Sequence, residues 1–317
     1  MRRKMLIYLT IFTAALLAAW LLVDRRADLR EAAIEARFPP LGQMVNVDDK
    51  AVHVIVRGEG PALVLIHGAG GNARDFTYQL IDRLTDRYTV YAVDRPGLGW
   101  SEAIASGASP MAQARHLAAA TRAPGAENPI VLGHSYGGAV AMAWALEEPA
   151  SALVILSGAT MPWPGKLRPY YRIFGSKPGG WLGGPLVAAF VTEAQIASSI
   201  DDVFAPAPAP SDYIQKAAVP LATRSASFRE SARQVNTLKP HVTAMSERYP
   251  DILLPVEILH GTEDTSVGPH IHSIPLAERL PNAELTLLEG VGHAPHHVEP
   301  DTVAGAIDRA AARAGLR

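Results

Sequence analysis

No cysteine occurs anywhere in the 317 residues. Its absence removes disulfides, thiolate metal sites, cysteine catalysis and S-acylation together, and with them any anchor built on an acylated cysteine. An excess of one charge is lacking too. The chain carries 29 Lys and Arg against 31 Asp and Glu, a formal net charge of −2. Without a basic surplus there is no electrostatic signature for a polyanion, so nucleic acid is excluded as an expected partner. Internal repeats are missing, and long apolar runs are missing but for one. What remains is a chain long enough to bury a sizeable core, as one large α/β domain or two small ones.

The single long apolar run lies at the start. Arg2, Arg3 and Lys4 precede the uncharged residues 5–23, and Asp24, Arg25 and Arg26 close them. As a helix, about 19 residues rise roughly 28 Å, close to the hydrocarbon thickness of a bilayer. Tyr8 and Trp20 stand near the two ends, where amphipathic rings favour the headgroup level. A membrane anchor through residues 5–23 is the expectation. A cleaved signal peptide, giving a secreted protein, is the alternative, but no A-x-A site precedes Asp24. A buried soluble helix is the third reading. The slight bias of basic residues favours a cytoplasmic N-terminus, with the larger part of the chain periplasmic or extracellular. Residues 24–38, rich in Ala, Arg and Glu, extend the anchor as a helical stalk up to Pro39-Pro40, so that 1–38 form anchor and stalk.

From residue 39 onward strand-like and helix-like segments alternate. Residues 44–47 and 52–56 read as a hairpin turned at Asp48-Asp49-Lys50, with Val52, Val54 and Val56 on one face. Residues 62–66 are continuously apolar, as a strand buried on both faces requires. Further strands are expected at 89–93, 129–132, 153–156, 256–259 and 285–288, with helices at 72–85, 111–122, 138–145 and 302–314. Such alternation predicts an α/β fold, a mostly parallel eight-stranded sheet with helices on both faces. The interval 159–251 breaks the rhythm and is too long for a simple crossover. It reads as an inserted helical cap within a domain spanning 39–317. Gly179-Gly180 and Gly183-Gly184 are candidate hinges or turns in it.

Five motifs follow predicted strands, where open α/β sheets place their ligands. After residue 66 comes His67-Gly68-Ala69-Gly70-Gly71-Asn72; after 93, Asp94-Arg95-Pro96-Gly97-Leu98-Gly99-Trp100-Ser101. After 132 comes Gly133-His134-Ser135-Tyr136-Gly137, a serine between glycines where strand turns sharply into helix. His260-Gly261-Thr262-Glu263-Asp264 and Gly290-Val291-Gly292-His293-Ala294-Pro295 complete the set. In these five motifs and in their order the chain resembles the α/β-hydrolase superfamily from about Val45 onward.

The resemblance implies Ser135 as nucleophile, His293 as general base and then acid, and Asp264 as the carboxylate orienting His293. It implies the backbone N–H groups of Ala69 and Tyr136 as oxyanion donors, and no metal or cofactor. The chemistry asks for those types. A serine hydroxyl needs a neutral imidazole to take its proton, and the imidazolium needs a buried carboxylate. Glu263 competes with Asp264 for the acid's place. His296 and His297, close to His293, compete as a metal cluster, for which zinc would need a third held ligand. His67 and His134, with Gly68, Gly133, Gly137, Asp94 and Arg95, read as loop organisers around the site. Trp100 and Trp163 are candidates for lining a pocket.

A serine nucleophile speaks against the superfamily's dehalogenases and epoxide hydrolases, which use a carboxylate there. The leading expectation is hydrolysis of a carboxylic ester through an acyl-enzyme, with a small-molecule ester as substrate. Carbon–carbon bond hydrolysis, lactonase, aminopeptidase or perhydrolase activity are alternatives, and a non-catalytic binding module is the reading from outside enzymology. Trp163, Tyr170, Tyr171, Phe174, Trp181 and Leu182 in the cap suggest a hydrophobic acyl or aryl group, or else packing of the cap itself.

Overall fold

Leucine, valine and isoleucine crowd the strand segments because both faces of the sheet are covered. The computed structural model describes residues 2–317. β1 (Gln43–Val47) and β2 (Lys50–Arg57) form the hairpin, turned at Asp48 and Asp49, both at positive φ as a tight two-residue hairpin turn demands. β3 (Ala62–Ile66), β4 (Thr89–Val93), β5 (Ile130–His134), β6 (Ala152–Leu156), β7 (Val256–Gly261) and β8 (Ala283–Leu288) follow. The strand order is β1-β2-β4-β3-β5-β6-β7-β8. Pairing is antiparallel up to β2–β4 and parallel from there to β8. The chain moves outward from β3 to β4, then returns to the other side of β3 for β5. That reversal opens a crevice at the C-terminal ends of β3 and β5, the place such sheets offer to ligands.

Twelve α-helices surround the sheet among the described residues: α1 (Arg2–Arg37), α2 (Arg74–Thr77), α3 (Pro110–Arg122), α4 (Tyr136–Glu147), α5 (Pro169–Phe174), α6 (Lys177–Phe190), α7 (Glu193–Phe204), α8 (Tyr213–Lys216), α9 (Ser225–Ser246), α10 (Ser273–Arg279), α11 (Pro295–Val298) and α12 (Pro300–Arg313). On one face Leu117 of α3, Val140 and Trp144 of α4 and Leu276 of α10 pack with Val64, Val131 and Ile258. On the other, Phe76, Leu80 and Ile307 of α12 pack with Leu65, Leu132 and Val154. Local chemistry sets the helix starts. Ser109 accepts from Ala112 N with Pro110 in the first turn of α3, and Thr192 and Gln195 close a capping box on α7.

Two expectations are corrected. The helix expected over 72–85 is only the single turn α2 and a 3-10 turn at Ile81–Arg83. Thr77 Oγ1 donates to the Arg74 carbonyl at 3.0 Å, drawing on a group that a continuing helix would use, while Leu80, Ile81 and Leu84 still bury under the sheet. The glycine pairs are neither hinges nor turns. All four lie inside α6, where a Cβ on Gly183 would fall 2.3 Å from the Phe174 ring and one on Gly184 would fall 2.8 Å from the Ser225 carbonyl. They are there so that α5 and α9 can approach.

Helices α5 to α9 occupy the long interval between β6 and β7 and lie over the crevice. α1 is fastened to this insertion. Trp20 stacks on Trp181 with ring centroids 5.6 Å apart. Arg26 Nε and Arg30 Nη2 each donate at 2.8 Å, to Ala189 and Val191, the last carbonyls of α6. Glu31 accepts from the Ser225 amide at the head of α9, and Glu35 pairs with Arg224 at 2.8 Å. Cations on the carbonyl end of one helix and an anion on the amide end of another follow the helix dipoles. The first half of α1 is different: residues 2–19 are exposed throughout.

Candidate active site

β5 delivers Ser135 into a backbone few residues tolerate, φ 56° and ψ −118°. Such a conformation costs roughly 1–3 kcal/mol and persists only when its surroundings enforce it. Here the enforcement is close approach. A Cβ on Gly137 would lie 2.2 Å from the Ile66 carbonyl oxygen, and one on Gly133 2.2 Å from that of Gly137. The two glycines let β5, α4 and the end of β3 converge, and the turn lifts the Ser135 hydroxyl clear of the sheet.

The Ser135 hydroxyl donates to His293 Nε2 at 2.9 Å, and His293 Nδ1 donates to Asp264 Oδ2 at 2.6 Å. His293 lies beyond β8 and is gripped from two sides. Its N–H donates to Val203 O of the insertion at 3.2 Å, and its carbonyl accepts from His134 Nε2 at 2.8 Å. Asp264 has no freedom to turn. Oδ1 accepts from the amides of Ser266 and Val267 at 2.8 and 2.9 Å, and Oδ2 also faces His260 Nε2 at 3.0 Å. Burial works to raise the Asp264 carboxyl, but the hydrogen bonds from His260 and His293 outweigh it and hold it well below the usual carboxylate range. Its rival Glu263 is exposed.

The hydrogen-bonded line forms part of the wall of a cavity of about 690 Å³ between sheet and insertion. Ala69 and Tyr136 line the same cavity. Tyr136 opens α4, so its N–H has no partner within the helix. Ile200, Val203 and Leu238 of the insertion supply apolar wall.

A family model described as the alpha/beta hydrolase family matches residues 63–306. The chain belongs to that family. An uncharacterized protein of Mycobacterium tuberculosis is 30% identical over 304 residues, covering 91% of the chain and 85% of the relative. Among solved structures, a membrane phospholipase A described as a bacterial virulence factor aligns over 100% of both chains, with 20% identity and a TM-score of 0.68. An esterase from Rhodococcus sp. ECU1013 aligns over 86% of the chain and 98% of its own, with 22% identity and a TM-score of 0.66. At these identities the two structures share the fold.

The other sequence-predicted residues of the alpha/beta hydrolase stand around this line without touching its reacting atoms. His67 donates from Nδ1 to Gly68 O and accepts at Nε2 from the Arg95 amide at 3.0 Å. Arg95 is wholly buried and makes no direct ion pair among the described residues. Its guanidinium donates to the carbonyls of His67 and Gly68 and to Gln113 and Gln234, fixing the loop that carries Ala69. Asp94 accepts from the amides of Ala73 and Trp100 and from His53 Nδ1. Trp163 lines the cavity, as expected. Trp100 does not. Its indole donates to Phe38 O, and Arg224 lies over its ring.

The apolar side chains of the insertion divide between the two roles expected for them. Of the six residues expected to face substrate or to pack the insertion, Trp163 and Tyr171 line the cavity. Tyr170 and Phe174 pack on Phe228, while Trp181 and Leu182 point outward.

One group of the alpha/beta hydrolase was not foreseen. Asp75, buried in α2, accepts from His296 Nε2 at 3.1 Å, His297 Nε2 at 2.7 Å and the Tyr213 hydroxyl at 2.7 Å. Burial pushes its carboxyl up, but the two histidines hold it well below the ordinary range. The ligand-type atoms of Asp75, His296 and His297 lie within 4.8 Å of one another, so a metal is a fair question. A histidine bound through Nε2 carries its proton on Nδ1 and gives it to an acceptor. Both Nδ1 atoms here are buried without a partner. The donor set fits a carboxylate held by the Nε2–H groups of two imidazoles and a tyrosine hydroxyl. No spacing rule reaches from residue 75 to 297. His296 also packs on His134, with centroids 4.5 Å apart, and so braces the wall behind Ser135.

Buried neutral histidines make the alpha/beta hydrolase sensitive to acid. Burial lowers His67, His272 and His297 from 6.5 to about 4 each, helped by Arg95, His260 and His296 respectively. Between about pH 6.5 and 4 the unfolded chain binds protons that the folded one refuses. Stability is therefore full above 6.5 and falls as pH drops through that window, by up to about 3 kcal/mol per histidine. The depressed carboxylates Asp75, Asp94 and Asp264 add their loss only below the ordinary carboxylate range. Thermal unfolding from pH 7.5 to 4.5 should show Tm falling already between 6.5 and 5. A Tm flat to 4.5 would contradict the assignment.

Proposed function

We propose that the hydrolase cleaves a carboxylic ester with a hydrophobic acyl or aryl group, through an acyl-enzyme on Ser135. The observation that carries this reading is the line Ser135–His293–Asp264 within hydrogen-bond reach at the wall of an apolar cavity. His293 Nε2 takes the Ser135 proton as Oγ attacks the ester carbonyl. The developing oxyanion is met by the N–H groups of Ala69 and Tyr136, each worth about 3–4 kcal/mol when such a donor is lost. His293 then gives the proton to the departing alkoxide, leaving the acyl group on Oγ. A water, deprotonated by the same nitrogen, releases the acid. Asp264 stays ionised and holds the His293 tautomer that can accept at Nε2. No resident metal or cofactor takes part.

Residues 5–23 belong to the same proposal as a bilayer-crossing anchor. The reading rests on α1 being long and apolar enough to cross a membrane and on its exposed first half. The basic residues favour a cytoplasmic N-terminus, with the hydrolase on the far side. The test of the chemistry is covalent labelling by a fluorophosphonate, followed by a panel of nitrophenyl esters of graded acyl length. Stoichiometric modification of the Ser135 peptide and turnover that favours apolar acyl groups are expected. An unlabelled protein that turns over no ester in the panel would sink the proposal.

A further inference from the structure

The insertion carries an apolar face that stays largely exposed among the described residues. Ile173 of α5 and Trp181 and Leu182 of α6 are 56%, 60% and 46% exposed, and Leu186 continues the strip at 43%. Single exposed apolar residues are ordinary on a protein surface, but a contiguous set with a tryptophan calls for a partner.

The position of this face is fixed by α1. Trp181 meets Trp20, Ala189 meets Arg26 and Val191 meets Arg30, so α6 and α1 run side by side in the same direction. At about 1.5 Å per residue, Lys177 at the head of α6 reaches roughly 6 Å beyond Trp181, back along the apolar run. α5, packed against α6, lies at the same end. Whatever surrounds Trp20 therefore surrounds this end of the insertion. Charge points the same way. Arg172 of α5 and Lys177 of α6 are exposed, as are Lys166 and Arg168 on the wall of the cavity, and no Asp or Glu occurs between Glu148 and Glu193. Exposed cations beside apolar and indole side chains are the composition of a segment that lies in an anionic lipid interface.

We infer that the bilayer itself covers the exposed end of α5 and α6, with Ile173, Trp181 and Leu182 among the acyl chains and Arg172 and Lys177 at anionic headgroups. The inference rests on α1 as a membrane anchor, and the two can be separated by experiment. Because the chain has no cysteine, single probes are clean. Leu17, Leu182 and Leu253 are all exposed, so Leu17→Cys, Leu182→Cys and Leu253→Cys disturb no core; Leu253 precedes β7, at the N-terminal ends of the parallel strands and away from the insertion over their C-terminal ends. Each full-length variant, labelled with an environment-sensitive fluorophore, is reconstituted in phosphatidylcholine vesicles with or without phosphatidylserine. Quenching by lipids spin-labelled at shallow or deep positions is then measured.

The expected result is deep quenching at position 17, shallow quenching at 182 and none at 253, with quenching at 182 stronger when phosphatidylserine is present. Quenching at 17 with none at 182 would overturn the inference and leave the anchor standing, as would a second copy of the chain covering the face. No quenching at 17 would overturn the anchor and the inference with it. Equal quenching at 182 with and without phosphatidylserine would overturn the part given to Arg172 and Lys177.

Discussion

Ser135→Ala is expected to lower turnover of an activated ester by on the order of 10⁶-fold in kcat, with KM changed far less. The change deletes one oxygen from a side chain whose backbone is held by the Gly133 and Gly137 approaches, so the fold should persist. The residual rate would come from the oxyanion donors and the cavity, which the substitution leaves in place. Two controls make the result decisive. Thermal unfolding should match the parent within about 0.5 kcal/mol, as for a small substitution beside an open cavity. Fluorophosphonate labelling should disappear. A variant that keeps more than a tenth of the parent rate would show that another group attacks the ester.

Asp264→Asn should lower kcat by about 10⁴-fold for a different reason. The two amides of Ser266 and Val267 need an acceptor, so the asparagine oxygen takes the Oδ1 place and its NH₂ takes the place of Oδ2. That NH₂ is a donor facing His293 Nδ1. The imidazole must then accept at Nδ1 and carry its proton on Nε2, toward Ser135, where it can no longer serve as a base. His260, which shares Oδ2, meets the same conflict, so a modest loss of stability accompanies the loss of rate. The labelling rate should fall in step with kcat, which a merely loosened structure would not produce. Parent-like labelling with a slow ester rate would remove Asp264 from the role proposed.

The fold was readable because the sheet is buried on both sides, so each strand is an apolar run ended by a small-residue loop. β3, β5 and β6 are plain in that respect. Segments decided by a side chain bonding its own backbone were not readable, as Thr77 shows. Nor were segments whose glycines serve approach more than bending, as α6 shows. At the site, the five loops were visible as motifs, and the structure brings Ser135, His293 and Asp264 into contact. Asp75 had no signature, since its partners His296 and His297 lie more than two hundred residues away and its neighbours in sequence are unremarkable in type. The outward turn of Trp181 was hidden because it depends on α1, a helix read only as a membrane span and stalk.

Every hydrogen bond that the side chains of α1 make to the rest of the fold, among the described residues, goes to the insertion: to Ala189, Val191, Arg224 and Ser225. The sheet takes no share in that fastening. In a mechanical frame this reverses the usual picture of a lid on a fixed enzyme. If α1 is moored in a bilayer as proposed, the mooring holds the insertion directly and the sheet only through it and the short link to β1.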